Sequence, residues 1–426
     1  MKACGEVCEV TVEKLWSKKL VALILATTLV FLMVNMYNLG MTYYADLLKG
    51  DIAYAGISCG VFSFSALLSR PFAGNLSNRF DRRKVILVST ALIAAVTLLH
   101  GLVQSILALA FVRAVHGSLF SVFSTCSGAE VNAILPRSRL SEGLGVYSIS
   151  TAIVPAIGPS IFLTIVREGD IGSFDPLFLL ATLLCLTGLL VVFLFWPKEE
   201  QACSLSDSVG EARFCFADEE TEMPHPSEPP SPSLPKMVLG FEVPTLLPAA
   251  FLCLFAFAFS SVNFFLPEYA FAKGFGNMGL FYFIFALVSV IIRPFVGKIT
   301  DKRGPGAFLL AGMCCLCVCY ALIPLCPSEA ELLILAVPFG LGMGSVAPLL
   351  NYCIVERCSA ERPGCASAAF YAAYDTGYTL GSPAVGLMIA FAGFTNMYLV
   401  CSAIAFAGAV LFWLLYAKPK GKLRAH

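Results

Sequence analysis

Long apolar runs separated by short polar turns extend along most of the chain. Twelve of these runs reach the ~20 residues that a helix needs to cross a bilayer. They lack the alternation of apolar and polar residues that marks the strands of a membrane barrel, so we predict that each run is a helix. These spans, numbered 1 to 12 in chain order, cover residues 20–42, 53–72, 85–103, 106–134, 143–165, 176–196, 244–266, 277–296, 306–325, 332–355, 364–390 and 394–416.

One long polar segment, residues 198–240, divides the twelve spans into two groups of six. Its Pro, Ser and acidic residues, including Pro229-Pro230-Ser231-Pro232, predict a disordered linker. The expected organisation is an N-terminal segment, a six-helix half, the linker, a second six-helix half and a tail, which cover residues 1–19, 20–197, 198–240, 241–417 and 418–426.

A repeated motif relates the two halves of the chain. Four residues at the end of span 2 recur 223 positions later at the end of span 8, as Arg70/Arg293, Pro71/Pro294, Phe72/Phe295 and Gly74/Gly297. A repeat on this scale implies that the two halves share one architecture. We therefore predict an all-α polytopic membrane protein with 12 transmembrane helices in two pseudo-symmetric halves. Residues 68–84 form the first hinge, and residues 291–304 form the second hinge.

Composition and charge placement support a membrane protein and predict its orientation. The chain is 58% apolar and 13% charged, whereas soluble domains carry about 25% charged residues. That balance excludes a soluble globular protein. If both termini are placed inside the cell, 24 of the 28 Lys and Arg residues fall on the cytoplasmic side, and only Lys49, Arg167 and Lys273 fall outside. This asymmetry predicts cytoplasmic termini.

The first hinge resembles a signature motif of the major facilitator superfamily. That motif reads Gly, x, Leu, x, Asp, Arg or Lys, x, Gly, Arg, Arg or Lys, and the chain has it over residues 74–83. Asn78 replaces the motif's Asp and Asp81 replaces its second Gly, whereas the second hinge keeps both as Asp301 and Gly304. The Arg-Pro before each first Gly is similar to a bacterial efflux branch that includes arabinose-efflux-like and opine-metallophore exporters. The resemblance implies a multi-pass transporter of the bacterial inner membrane.

The charged hinge residues admit two interpretations. They could pair with carboxylates or helix ends in one conformation only, as a conformational latch, or they could anchor the helices in the headgroup region. We favour the latch for Arg70, Gly74 and Asp301, and the anchor for Arg82, Arg83 and Lys84. The candidate hinge residues are Arg70, Gly74, Arg79, Arg82, Arg83, Arg293, Gly297, Asp301 and Gly304.

The hinge motif's Asp position predicts an unequal division of labour between the two hinges. If the latch needs a carboxylate, the second hinge carries it through Asp301, unless Asp81 substitutes in the first hinge. On this basis Asp301→Asn should impair transport more than Asn78→Ala does.

Two ionisable residues lie inside span 4, where each is expensive in a bilayer. Arg113, His116 and Gly117 resemble a second motif of the superfamily, which lines the path associated with proton coupling. Arg113 has no counterpart in the second half, because the repeat places Ala336 at its position. We predict that Arg113 tunes the proton site described next or binds an anionic group. For His116, a packing role and a functional role remain equally open.

Span 11 carries an acid near its middle. Asp375 has Ala152 as its counterpart, so this acid also belongs to one half only. Tyr371 and Tyr378 lie one turn to either side on the same helix face, which predicts a polar stripe facing a central cavity. We favour a site for a proton or a cationic substrate group over a packing role. Asn38 and Asn263 are further candidates for lining the cavity.

Glycines and a proline in spans 4, 5 and 11 suggest close helix packing. Gly145, Gly158 and Pro159 match part of the superfamily's antiporter motif, which favours antiport, although generic packing explains them almost as well. The candidate packing residues are Gly117, Gly145, Gly158, Pro159, Gly377 and Gly381.

These features predict a secondary transporter, most simply one that exports a small organic or amphipathic compound by proton-coupled alternating access. An uptake symporter on the same fold and a non-transporting membrane sensor remain alternatives. No Walker-type motif, nucleophile–base set or metal-ligand cluster emerges, so we expect no enzyme activity, no cofactor and no metal site. The expected partners are a small-molecule substrate, protons and the lipid bilayer, without nucleic acid, and the expected state is a monomer.

Overall fold

The computed structural model describes residues 15–49, 52–166, 170–196, 235–276 and 278–417, and its helices follow the apolar runs. Short 3₁₀ turns at residues 100–102, 137–139, 171–173 and 323–325 connect some of them, and a π turn covers Trp413–Ala417. The helices are α1 Lys18–Lys49, α2 Ile52–Arg79, α3 Arg82–Leu99, α4 Ile106–Ile134, α5 Leu140–Ala152, α6 Val154–Ile165, α7 Phe174–Phe195, α8 Val243–Ala272, α9 Gly279–Arg303, α10 Gly306–Leu322, α11 Glu329–Arg357 and α12 Pro363–Phe412.

The structure differs from the predicted spans at two places: it divides span 5 into two helices, and it joins spans 11 and 12 in one element. Span 5 is broken at Ile153 into α5 and α6, because Pro155 in the first turn of α6 cannot donate a helical hydrogen bond. Spans 11 and 12 fall in the single element α12, which bends where Gly393 adopts a left-handed φ of 77°. Glycine permits this conformation without the steric cost of a Cβ atom.

The hinges are more helical than the sequence predicts. Spans 2 and 8 were expected to end at residues 72 and 296, near Pro71 and Pro294, but α2 and α9 continue to Arg79 and Arg303. A proline inside a membrane helix removes only one donor, and neighbouring groups can compensate for it. The connecting turns are therefore short, at residues 80–81 and 304–305. We call the end of the molecule that carries these two turns the hinge end.

The repeat is visible in how each half packs internally. A Cβ atom on Gly117 of α4 would collide with the carbonyl oxygen of Phe62 on α2, and one on Gly340 of α11 would lie 2.7 Å from that of Phe285 on α9. Both members of the second pair are 223 residues beyond the first. The same close helix contact is thus built twice, with glycine required each time.

Nine helices of the described ranges are long and apolar enough to cross a membrane, namely α1, α3, α4 and α7–α12. The predicted linker lies outside the described residues up to position 234, as do residues 1–14 and the tail 418–426. The end of the linker is structured, which differs from the prediction. Strands β1 Met237–Val238 and β2 Phe241–Glu242 pair as a hairpin, and Gly240 at its turn lies against Pro71 of α2.

Candidate functional site

A largely buried ion pair joins the two halves about three helical turns from the hinge end, a level that we call mid-depth. Arg70 on α2 donates from Nε to Oδ2 of Asp375 on α12 over 2.9 Å. The Arg70 side chain is fully buried, and the ring of Tyr371 lies 4.7 Å from its Cζ. Its Nη1 contacts three oxygens of α4, the carbonyl of Ser121 at 3.2 Å, Oγ of Ser124 at 2.6 Å and Oγ1 of Thr125 at 3.1 Å.

This arrangement satisfies a charge that would otherwise be very costly to bury. A guanidinium group inside a bilayer needs a counter-charge and hydrogen-bond acceptors, and Arg70 has both. The sequence pointed to Arg70 as a latch residue and to Asp375 as a proton site, but as separate features. The structure combines them in one contact between the halves, and Arg70 rather than Arg113 is the cation beside Asp375.

The second half carries the counterpart of Arg70 in a different environment. Arg293 on α9 donates from Nη1 to the carbonyl oxygen of Ser148 on α5. Its side chain is 7% exposed, and its Nε has no hydrogen-bond partner among the residues that the structure describes. The repeat places Ser148 opposite Tyr371, and it places Ala152 opposite Asp375. Within the described residues, no carboxylate forms an ion pair with Arg293.

Closer to the hinge end, each half caps a helix of the other half. Asp301 accepts from the backbone N–H of Ser141 at 2.8 Å and of Glu142 at 2.9 Å, both in the first turn of α5. Asn78 accepts from the backbone N–H of Gly364 at 2.9 Å, in the first turn of α12. Gly364 lies 223 residues after Ser141, so the two caps are equivalent. Such caps use donors that a helix start leaves unpaired.

The sequence suggested that only a hinge with a carboxylate could hold the other half. In the structure, the first hinge holds the other half without one. Asn78 supplies an amide oxygen at the position of Asp301. Asp81 does not substitute for the missing carboxylate, because its Oδ1 accepts from the N–H of Arg83 and caps α3. Gly304, at the equivalent position, ends α9 with a left-handed φ of 81°.

Other cations of the first hinge bind within their own half. Arg82 donates to the carbonyl of Ser77 at 3.0 Å and to Oε2 of Glu130 at 3.2 Å, and Glu130 also pairs with Lys19. Arg83 donates to the carbonyl of Phe193 at 3.2 Å. Arg79 is exposed. These contacts match anchors better than a latch between halves.

A second polar cluster lies inside the N-terminal half. Arg113 donates to Oδ1 of Asn38 at 2.9 Å, and its Cζ lies 4.4 Å from the ring centre of Phe62. His116 is fully buried, with ring-centre distances of 5.8 Å to Tyr37 and 5.6 Å to His100. Within the described ranges, neither of its ring nitrogens has a hydrogen-bond partner. The structure thus brings Asn38 and Arg113 together and surrounds His116 with aromatic rings.

The remaining predicted residues lie beside the ion pair or in helix contacts. Tyr378 stacks on Tyr374 with ring centres 5.9 Å apart, and Asn263 on α8 is half-buried. Five glycines lie so close to a neighbouring helix that an added Cβ would approach it within 3.1 Å. The approaches are Gly74 to Ala368, Gly145 to Arg293, Gly158 to Asn35, Gly377 to Ala256 and Gly381 to Ser260. Pro159 lies in α6.

Several residues of the site were missed by sequence reasoning. Ser121, Ser124 and Thr125 surround Arg70, and their spacing along span 4 is a polar face that could have been recognised. Ser148 became visible only through its contact with Arg293. His100 gave no signal, because it lies at the end of α3 and meets His116 only after folding.

Comparisons with known proteins agree with this architecture. The family model described as Major Facilitator Superfamily matches residues 23–382. The chain is 22% identical to the staphylopine export protein of Staphylococcus aureus, over 86% of this chain and 88% of that protein. It is 26% identical to the multidrug resistance protein MdtG of Yersinia enterocolitica, over 85% of this chain and 84% of that one.

Two solved structures share the fold. The human organic anion transporter MFSD10 (TETRAN) has a TM-score of 0.71 at 16% identity, over 92% of this chain and 98% of that one. The proton:xylose symporter XylE has a TM-score of 0.68 at 14% identity, over 93% of this chain and 95% of that one. At these identities the likeness shows the fold alone. The chain belongs to the Major Facilitator Superfamily and is a multi-pass transporter of the cell membrane rather than an enzyme.

Proposed function

We propose that this transporter exports a small organic or amphipathic compound in exchange for protons. It works as a monomer of twelve membrane spans with both termini in the cytoplasm, so the hinge end faces the cytoplasm. The two six-helix halves rock about a site between them and expose it to one side at a time. On this proposal, the contacts between the halves at the hinge end belong to a state in which the cytoplasmic side is closed.

The observation that carries this proposal is the buried pair of Arg70 and Asp375. It links α2 of one half to α12 of the other, and Asp375 is 20% exposed at its side chain. Protonation of Asp375 removes the negative charge that holds Arg70, and the contact between the halves weakens. Ser121, Ser124 and Thr125 continue to accept hydrogen bonds from Arg70, so the arginine keeps neutral acceptors, but no counter-charge, while the halves separate.

The caps at the hinge end complete the closed state. Asn78 and Asp301 hold the first turns of α12 and α5, and both contacts break if the halves separate on the cytoplasmic side. An equilibrium between two such states shifts by the free energy of the contacts that exist in one state only. Proton binding at Asp375 and the two caps therefore act on the same equilibrium.

The direction of transport is supported by the relatives. Those with broad sequence coverage are described as an export protein and as multidrug resistance proteins. The alternative is a proton-coupled uptake symporter on the same fold. The two are distinguished in vesicles with an inward proton gradient, because an antiporter expels the compound and a symporter accumulates it.

Proton flux in proteoliposomes tests the role of Asp375. We expect Asp375→Asn to abolish coupled proton movement, since the amide cannot exchange a proton, while the folded protein is still recovered in detergent. Glu268→Gln is the matched control, because Glu268 is an exposed acid on α8. Coupled flux that persists unchanged in Asp375→Asn would remove Asp375 from the mechanism.

A further inference from the structure

Arg293 is a buried cation that the repeat leaves without its acid. Its counterpart Arg70 has Asp375, whereas the matching position beside Arg293 is occupied by Ala152. Ser148, which accepts from Arg293, lies one turn before Ala152 on α5. Residues four apart share a helix face, so Ala152 lies on the face of α5 that carries the Arg293 contact.

The hydrogen bonding of Arg293 is incomplete. The Ser148 carbonyl supplies a partial negative charge, but Nε is buried and has no hydrogen-bond partner in the described part of the chain. A guanidinium presents its N–H groups as a planar fork, and it matches a carboxylate through two parallel hydrogen bonds. Arg293 therefore holds unused donors in a site that is almost closed to water.

The charges inside the helices show the same imbalance. In the described helices, four charged residues lie more than six positions from either end of their helix, namely Arg70, Arg113, Arg293 and Asp375. Three cations and one anion leave a net charge of about +2 in the interior of the bilayer-spanning region. Buried charge of one sign is costly unless a counter-charge is supplied.

We propose that Arg293 binds an anionic group of the substrate, most simply a carboxylate, in the place where the repeat would otherwise put an acid. This inference rests on the proposed function and adds the chemical class of the substrate. The bound anion would bridge α9 and α5 much as Asp375 bridges α12 and α2. An organic anion would then complete the second interface, while the proton acts on the first.

Ligand-dependent thermal stabilisation of the purified full-length protein in detergent tests this assignment. The probes are phenylpropionate, phenylpropionamide, phenylpropylamine and matched sets on longer alkyl and aryl skeletons. Within each set the same skeleton carries a carboxylate, a carboxamide or an ammonium group. We expect stabilisation by carboxylates only, and Arg293→Gln should raise the half-maximal concentration by at least about tenfold, the size of one lost charge-assisted hydrogen bond.

Three further variants separate binding from general damage. Lys298→Gln removes an exposed cation from the same helix and should leave carboxylate binding unchanged. Ala152→Asp supplies the acid that the repeat lacks, and it should suppress carboxylate binding by occupying Arg293, whereas Ala152→Asn should have a much smaller effect. Stabilisation by amides or amines equal to that by carboxylates, carboxylate binding that survives Arg293→Gln, or no stabilisation by any carboxylate would each overturn the proposal.

A flux measurement keeps this inference separate from the proposed function. Gradient-driven export of an amine or a neutral compound, with no carboxylate binding, would leave proton-coupled export standing and refute the role of Arg293. Carboxylate binding that depends on Arg293, without any gradient-dependent flux, would support the role of Arg293 and refute proton-coupled export.

Discussion

The interface between α2 and α12 and the interface between α9 and α5 follow one plan, but their carboxylates lie at different depths. The first has an acid at mid-depth, Asp375, and an amide at the hinge end, Asn78. The second has its acid at the hinge end, Asp301, and an alanine at mid-depth, Ala152. The arginines, Arg70 and Arg293, are present in both.

This difference separates structure from function. Features common to both interfaces, the arginine, the close-packed glycine and the helix cap, are what the fold needs to close one end of the molecule. The acid beside the buried arginine, Asp375, is present in the first interface only, and it is the residue to which we assign the response to protons. Asymmetry within a repeat therefore marks the residues on which the proposed coupling depends.

The largest expected effect comes from removing Asp375 and leaving its partner. Asp375→Leu strands Arg70 as a buried charge, and losing one partner of a buried pair costs about 3–5 kcal/mol. Arg293→Met should cost much less, because it leaves no charge behind. Chemical unfolding of the purified protein in detergent measures both changes.

The double variant Arg70→Met with Asp375→Leu sharpens this comparison. It should recover most of the stability lost in Asp375→Leu, since the stranded charge is gone, while transport stays abolished. Equal losses of stability in Asp375→Leu and Arg293→Met would show that the two interfaces do not differ in the way the structure indicates.

How much of this comparison the sequence predicts depends on the residue. The offset of 223 residues identified both arginines, both glycines and the unequal acids, because a repeat of buried positions leaves a clear pattern in one chain. The pairing of Arg70 with Asp375 could not be read in the same way. It joins residues 305 positions apart, and nothing in either local sequence specifies which cation an intramembrane acid will meet.

The role of Asn78 was misjudged for a different physical reason. Replacing Asp by Asn removes a charge, which suggested a lost latch, but the cap uses one acceptor oxygen that both side chains have. The helix bounds at Pro71 and Pro294 differed from prediction because tertiary packing outweighs a single missing donor. Local rules thus identified the important positions, while their partners required the fold.

A moderate effect is expected when a methyl group is added at the glycines where helices of the two halves touch. A Cβ on Gly297 would lie 2.6 Å from Cα of Glu142, whereas one on Gly74 would lie 3.1 Å from Cβ of Ala368. Overpacking of this kind costs about 1–3 kcal/mol. Gly297→Ala should therefore open the hinge end more than Gly74→Ala does, because its added Cβ would lie within 2.8 Å of three backbone atoms, whereas the Cβ added at Gly74 comes no closer than 3.1 Å to any atom.

Distances between spin labels on the hinge-end turns measure this opening in reconstituted protein. Gly408→Ala is a suitable control, since an added Cβ there meets no atom within 4 Å. If Gly74→Ala opened the hinge end as widely as Gly297→Ala, the two interfaces would tolerate an added methyl group equally. The difference between the two Cβ distances would then have no effect on the free energy of closing.

The smallest effect, and the one that most directly compares the two hinges, concerns the caps. Asp301→Asn keeps an acceptor for only one of the two N–H groups that it caps, so it loses one hydrogen bond, worth about 0.5–1.5 kcal/mol, and a charge near a helix start, worth about 0.3–1 kcal/mol. Asn78→Ala removes the acceptor altogether, and loss of a cap costs about 0.5–2 kcal/mol. The geometry therefore supports the order that the sequence predicts, and Asp301→Asn should reduce initial transport rates somewhat more than Asn78→Ala. Transport by Asn78→Asp should remain close to that of the unmodified protein, because the aspartate keeps the acceptor for Gly364. A greater loss in Asn78→Ala would contradict this order and would mean that the single acceptor oxygen of Asn78 matters more than the carboxylate of Asp301.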